Sequence, residues 1–116
     1  MTSRDGMPRR RGRWALTVTT TPGDGAVTIA LAGRLGAAAT PGVAAALSEA
    51  IASGFRCISL NLEGLDYISS AGILTLEATA ARLRGDGGQL MVGPINPAVR
   101  VALELAGFPA ECLRSP

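Results

Sequence analysis

Two runs near the start of this 116-residue chain alternate apolar and polar side chains one by one. Trp14, Leu16 and Val18 alternate with Ala15, Thr17 and Thr19, and Val27, Ile29 and Leu31 alternate with Ala26, Thr28 and Ala30. A period of two in stretches rich in β-branched residues predicts half-buried strands. Pro22-Gly23-Asp24-Gly25 supplies turn residues between them, so the pair reads as an antiparallel hairpin, closed by Gly33. The period then lengthens to that of a helix. Thr40 before Pro41 is a helix start, because threonine caps an open N–H and proline loses nothing at the first helical position. Val43, Leu47, Ala50 and Ile51 fall on one face of that helix, and Gly54 terminates it.

Cys57 to Leu62 reads as a third strand, reached from the second through the helix, and such a crossover implies parallel pairing with right-handed topology. A second helix from Ala71 to about Arg84 sets Ile73, Leu76, Ala80 and Leu83 along one stripe, with Glu77, Arg82 and Arg84 away from it. Gly85-Asp86-Gly87-Gly88 ends it, and Gln89 to Gly93 follows as a short fourth strand. Asn96-Pro97 starts a third helix that carries Val99, Leu103 and Ala106 as far as Gly107. The order is ββαβαβα, an α/β layer architecture whose mixed sheet takes most of its cover from crossover helices.

Composition narrows the chemistry. Hydrophobic residues make up 47%, enough for one compact core in a chain too short for two ordinary domains. Trp14, Phe55, Tyr67 and Phe108 are the only aromatics, so the core rests on aliphatic side chains and stacked bases or sugars are poor ligand candidates. The chain has no histidine, which removes the usual general base, the commonest metal ligand and every Ser-His or Cys-His pair. No cofactor or metal is expected, and no enzyme. Cys57 and Cys112 form neither a disulfide framework nor a metal pair, and Cys57, inside an apolar run, reads as a small buried residue of a cytoplasmic protein.

Every positive charge is arginine. Arg4, Arg9, Arg10, Arg11 and Arg13 crowd the start, opposed there only by Asp5. Residues 1–13 therefore read as a solvated, disordered basic tail, with no direct nucleic-acid role, ahead of a single domain over 14–116. The stretch after the tail alternates with threonines, unlike the apolar run of a secretion signal, and no segment reaches transmembrane length.

The candidate chemistry lies in Leu60 to Gly72, where an apolar strand gives way to a helix that begins on Ser69 and Ser70. A helix start carries unpartnered N–H groups and the positive end of the dipole, so it stabilises a phosphate. Serine is also a favoured helix cap, and spacing alone favours capping for both residues. Glu63 and Asp66 read as solvated carboxylates, and Gly72 as a site of close backbone packing.

Gly33-Arg34-Leu35, Leu60-Asn61-Leu62, Tyr67-Ile68-Ser69-Ser70-Ala71-Gly72, and the run from Gly88-Gln89-Leu90 through Pro97-Ala98-Val99-Arg100 to Leu105-Ala106-Gly107-Phe108 together resemble the STAS domain of bacterial anti-sigma factor antagonists. The resemblance spans about Trp14 to Phe108. It implies a STAS-like mixed sheet and a partner-switching function. The unphosphorylated protein would bind an anti-sigma factor that is also a serine kinase of the GHKL type, releasing the sigma factor. Phosphorylation at Ser70, with Ser69 as the secondary acceptor, would silence it, and a serine phosphatase would fit as the reversing partner. Arg34, Asp66, Tyr67, Ser69, Ser70, Ala71 and Gly72 then become the partner-binding surface.

Three positions depart from the family pattern. Ser69 stands where Asp often precedes the acceptor, Gly36 stands where Asp often follows Gly-x-Leu, and the usual last strand and helix are shortened after Phe108. A shortened end would leave apolar surface for a homodimer or a partner to cover. The alternative function is an unphosphorylated scaffold subunit in a signalling or membrane-transport complex.

Overall fold

The computed structural model describes residues 16–113, so Trp14, Ala15 and the basic segment of residues 1–13 lie outside the described residues. The chain forms β1 (Leu16–Pro22), β2 (Ala26–Leu35), α1 (Thr40–Ala52), β3 (Cys57–Leu62), β4 (Leu65–Ile68), α2 (Ser70–Gly85), β5 (Gln89–Ile95) and α3 (Pro97–Leu105). Short 3-10 turns at Ala37–Ala39 and Ala110–Cys112 precede α1 and follow α3. β1 and β2 make the expected antiparallel hairpin, and β2, β3 and β5 run parallel in the order β1-β2-β3-β5.

One additional strand separates this order from ββαβαβα. β4 pairs in parallel with the end of β2, beyond the part of β2 that β3 uses. Its pattern hides it, because Leu65 and Ile68 are both buried although three residues apart. The ladder skips from Gly33 opposite Leu65 to Arg34 opposite Tyr67, leaving Asp66 as an extra residue in a bulge. Gly33 does not close the hairpin as the sequence suggests. It sits inside β2 at this irregularity with φ 110°, a conformation that side-chain-bearing residues avoid, and its N–H donates to the Gly64 carbonyl at 2.9 Å.

The core lies on one face of the sheet. Val27, Ile29, Leu31 and Leu35 from β2, Ile58, Leu60 and Leu62 from β3, and Leu90 and Val92 from β5 are all buried. Val43, Leu47 and Ala50 of α1, Ile73, Leu76, Ala80 and Leu83 of α2, and Val99 and Leu103 of α3 join the same cluster. The helical stripes thus fall where their spacing placed them. The opposite sheet face carries the alternate positions, among them Thr19, Thr28, Ala30, Ser59 and Asn61, which are half-buried or exposed.

Several expectations need correction. β1 is exposed from Thr17 onward, and only Leu16 is half-buried, because the strand is the outermost of the sheet and the core cluster reaches it only at that residue. The N-cap of α1 is Ala39 rather than Thr40. Thr40 is already helical, and its hydroxyl donates to the Gly36 carbonyl at 3.0 Å, so the threonine closes the preceding turn. Asn96 does cap α3, its side-chain oxygen accepting from Ala98 N–H at 2.9 Å. Ala106 lies just past α3 and is exposed. Beyond it the described chain continues through the Ala110–Cys112 turn to Leu113, which bridges in parallel to Val92 beside β5.

Cys57 is half-buried rather than buried, since the alternation of β3 assigns the inward positions to Ile58, Leu60 and Leu62. Cys112 is the buried cysteine, and its thiol titrates above the ordinary 9.0, chiefly through burial, with Glu111 adding to the rise and Arg84 opposing it. A raised folded-state value means that the neutral thiol's contribution to stability is fully present below about 9 and declines as pH rises through the folded value. Urea melts across the alkaline range should therefore show wild type losing more stability above pH 9 than Cys112→Ala does, and at neutral pH a thiol reagent should label Cys57 before Cys112.

Candidate functional site

The ends of β2 and β4 place the junction where α2 begins. Leu35 and Ile68 are register partners pointing into the core, and Ser69 N–H donates to the Leu35 carbonyl at 2.8 Å. This bond fixes the chain at its exit from the sheet. Ser69, with φ −84° and ψ 167°, is the N-cap of α2, and its hydroxyl oxygen accepts from Gly72 N–H at 3.1 Å. Its own carbonyl accepts from Ile73 N–H at 3.0 Å. Half-buried and engaged at both oxygens, Ser69 has a structural task.

Ser70 is the first helical residue and is exposed. Among the described residues its hydroxyl makes no hydrogen bond. The N–H groups of Ser70 and Ala71 belong to the open first turn, so an anion on the Ser70 oxygen would meet unpaired donors and the positive end of a 16-residue helix. The first turn holds no acidic residue to oppose it.

Gly72 is buried, and its role is one of shape. A Cβ at this position would lie 2.9 Å from Leu35 Cγ and 3.0 Å from Ile68 Cγ1, inside contact distance. Only glycine lets the first turn of α2 press onto the two residues that anchor β2 and β4. Gly72 therefore belongs to the scaffold beneath the surface, and Ala71 beside it is half-buried.

Arg34 and Tyr67 are the next register pair outward, and the Arg34 guanidinium carbon lies 4.6 Å from the Tyr67 ring centroid. A cation over an aromatic face contributes about 0.5–1 kcal/mol at an exposed site. The sequence singles out both residues, but nothing in it shows that they stack. Tyr67 is 41% exposed, Asp66 is exposed at the bulge, and Leu74, one turn beyond Ser70 on α2, is 63% exposed. Sequence reasoning misses Leu74 as a surface residue, although its place outside the Ile73, Leu76 and Ala80 stripe is the signal that could have found it. Gly36, between β2 and the turn before α1, has open space where a side chain would project.

Among the described residues no group of three or more metal-ligating side chains occurs, and no helix is long and apolar enough to cross a membrane. Arg34, Asp66, Tyr67, Ser69, Ser70, Ala71 and Gly72 do cluster at the β2–β4–α2 junction, divided between exposed and supporting positions.

The division of roles has measurable consequences. Gly72→Ala should cost about 1–3 kcal/mol, because the core must shift to admit the methyl group. Ser69→Ala should cost about 1 kcal/mol through loss of the cap. Ser70→Ala should stay within about 0.5 kcal/mol of wild type. Urea denaturation of the three variants checks this ranking.

A family model for the STAS domain matches residues 15–113. A putative anti-sigma factor antagonist, BtrV of Bordetella bronchiseptica, is 35% identical over 85 residues, which cover 73% of each protein. Among solved structures, an anti-sigma factor antagonist from Mycobacterium paratuberculosis superposes with a TM-score of 0.79 at 21% identity, covering 88% of this chain and 87% of that one. The unphosphorylated form of the anti-sigma factor antagonist SpoIIAA gives 0.77 at 22% identity over 86% and 88% of the two chains, and the phosphorylated form of SpoIIAA from Bacillus gives 0.70 at 20% over 88% and 91%. Those structural likenesses speak to the fold, while the family match extends across all of the described residues, and on that ground this chain belongs to the STAS domain family.

Proposed function

We propose that this protein is an anti-sigma factor antagonist whose binding surface is the β2–β4–α2 junction and whose switch is phosphorylation of Ser70. The observation that carries the reading is the contrast between two adjacent serines: Ser69 is held as the cap of α2, while Ser70 is exposed with its hydroxyl unbonded among the described residues. A kinase needs a hydroxyl that it can reach and whose modification leaves the fold intact, and Ser70 meets both needs. The family relationship and the name carried by BtrV support the same reading.

The partner is an anti-sigma factor that doubles as a serine kinase of the GHKL type. Unmodified, the junction presents Tyr67 with Arg34 stacked on it, Asp66, Ser70 and Leu74, a mixed apolar and polar surface suited to a protein interface. A phosphate on Ser70 adds close to two negative charges with strongly hydrated oxygens. In the unbound protein the α2 terminus accommodates them, whereas a closed interface would have to desolvate them. Each tenfold loss of affinity needs only about 1.4 kcal/mol, so one buried phosphate suffices to empty the complex. Removal of the phosphate by a serine phosphatase restores binding.

Phosphopeptide mapping of protein recovered from its host tests this directly. A single phosphate on Ser70, absent from Ser70→Ala, is the expected result. Ser70→Ala should keep its affinity for the co-purifying partner, and Ser70→Asp should lower it by about tenfold or more in calorimetry. A protein that stays unmodified through growth, starvation and stress while holding a stable partner would instead be a constitutive scaffold.

A further inference from the structure

β1 is the outermost strand of the sheet and pairs only with β2 among the described residues, so its other edge presents a row of backbone donors and acceptors. Natural edge strands are protected by charge, by proline, by bulges or by being short. β1 has one of these, Pro22 at its last position, which leaves the edge from Leu16 to Thr21 unprotected. Its seven residues, Leu-Thr-Val-Thr-Thr-Thr-Pro, include no charge and are rich in β-branched side chains, and the ladder to β2 runs from Leu16 to Pro22 without irregularity. Val18 is 38% exposed, and Leu16, Val18, Ala38, Ala39, Gly42 and Val43 line a shallow groove along its inner side.

We infer that β1 is a self-association edge, pairing antiparallel with β1 of a second copy to make a continuous two-fold sheet. Charge selects the direction of pairing. Five arginines lie in the first 13 residues, before β1, whereas the turn after β1 carries the exposed Asp24. Antiparallel pairing sets the Leu16 end of each β1 beside the Asp24 turn of the other copy, so that the two arginine-bearing sequences join the sheet at opposite ends. Parallel pairing would join both, with five arginines from each copy, at the same end.

Side-chain direction then selects the register. Antiparallel neighbours point to the same face, so even-numbered positions must oppose even-numbered ones, and full overlap of Leu16–Pro22 centres the axis on Thr19. Val18 of one copy then lies across from Thr20 of the other on the core side, extending the cover of the groove beside α1. The threonines of the opposite face meet as a ladder, a pairing that stabilises sheets.

Sedimentation velocity over a concentration series, up to about 0.5 mM, tests the inference, because an interface as small as one strand pair is a weak one. Reversible dimerisation of the full chain is expected. Thr19→Lys sets two ammonium groups opposite each other and should raise the dissociation constant at least about tenfold. Under mild oxidation Thr19→Cys should form a symmetric disulfide, mapped by peptide mass spectrometry, since directly opposed Cα atoms approach to about 5 Å. Thr17→Cys should not, its two copies being roughly 13 Å apart along the strands. A protein that stays monomeric throughout overturns the inference. So does a dimer that ignores Thr19→Lys and gives no cross-link in the Thr19→Cys variant, and either result assigns the edge to another occupant or to none. If Thr19→Lys loses its fold by circular dichroism, the cross-linking pair decides alone.

Discussion

The hydrogen bond from Ser69 N–H to the Leu35 carbonyl joins the three elements that make the junction. On one side of it β2 ends, on the other β4 passes into α2, and beneath it Leu35 and Ile68 enter the core. β2, a 10-residue strand paired along both edges, is tied through this bond to the first turn of α2. Surface chemistry at Tyr67 and Ser70 is thereby mounted directly on the middle of the sheet, even though Ser70 itself is exposed.

This arrangement separates holding from signalling at the scale of one residue. Two of the donors that every helix start leaves open are satisfied at Ser69, its hydroxyl oxygen accepting from Gly72 N–H and its own N–H donating to the Leu35 carbonyl, while its carbonyl accepts the first helical bond from Ile73 N–H. Gly72 lets the turn settle against Leu35. With those tasks assigned elsewhere, the Ser70 hydroxyl makes no bond that holds the helix among the described residues, and a modification there changes the surface without breaking a contact beneath it.

The three helices are legible because each keeps its apolar residues at a spacing of three or four over several turns, as Ile73, Leu76, Ala80 and Leu83 do. β4 is not, because the bulge at Asp66 replaces the spacing of two with a spacing of three over only four residues. Thr40-Pro41 carries the right vocabulary for a helix start, yet the threonine hydroxyl turns back to Gly36 instead of forward. Sequence rules describe which bonds a residue is able to make, and several residues here have more than one. At the junction the residue types are readable, but the stacking of Arg34 on Tyr67 depends on a register between residues 33 positions apart, which no local pattern encodes.

The bulge also acts as a ruler. Leu65 and Ile68 are the two pins that hold β4 to the core, and the residues between them set the angle at which the chain leaves the sheet for α2. Asp66 is exposed, so its side chain is open to replacement, but its backbone takes up a length that the pins require. Among relatives that share this junction, such a position would tolerate changes of chemistry and resist insertions and deletions, the reverse of what an exposed loop normally allows.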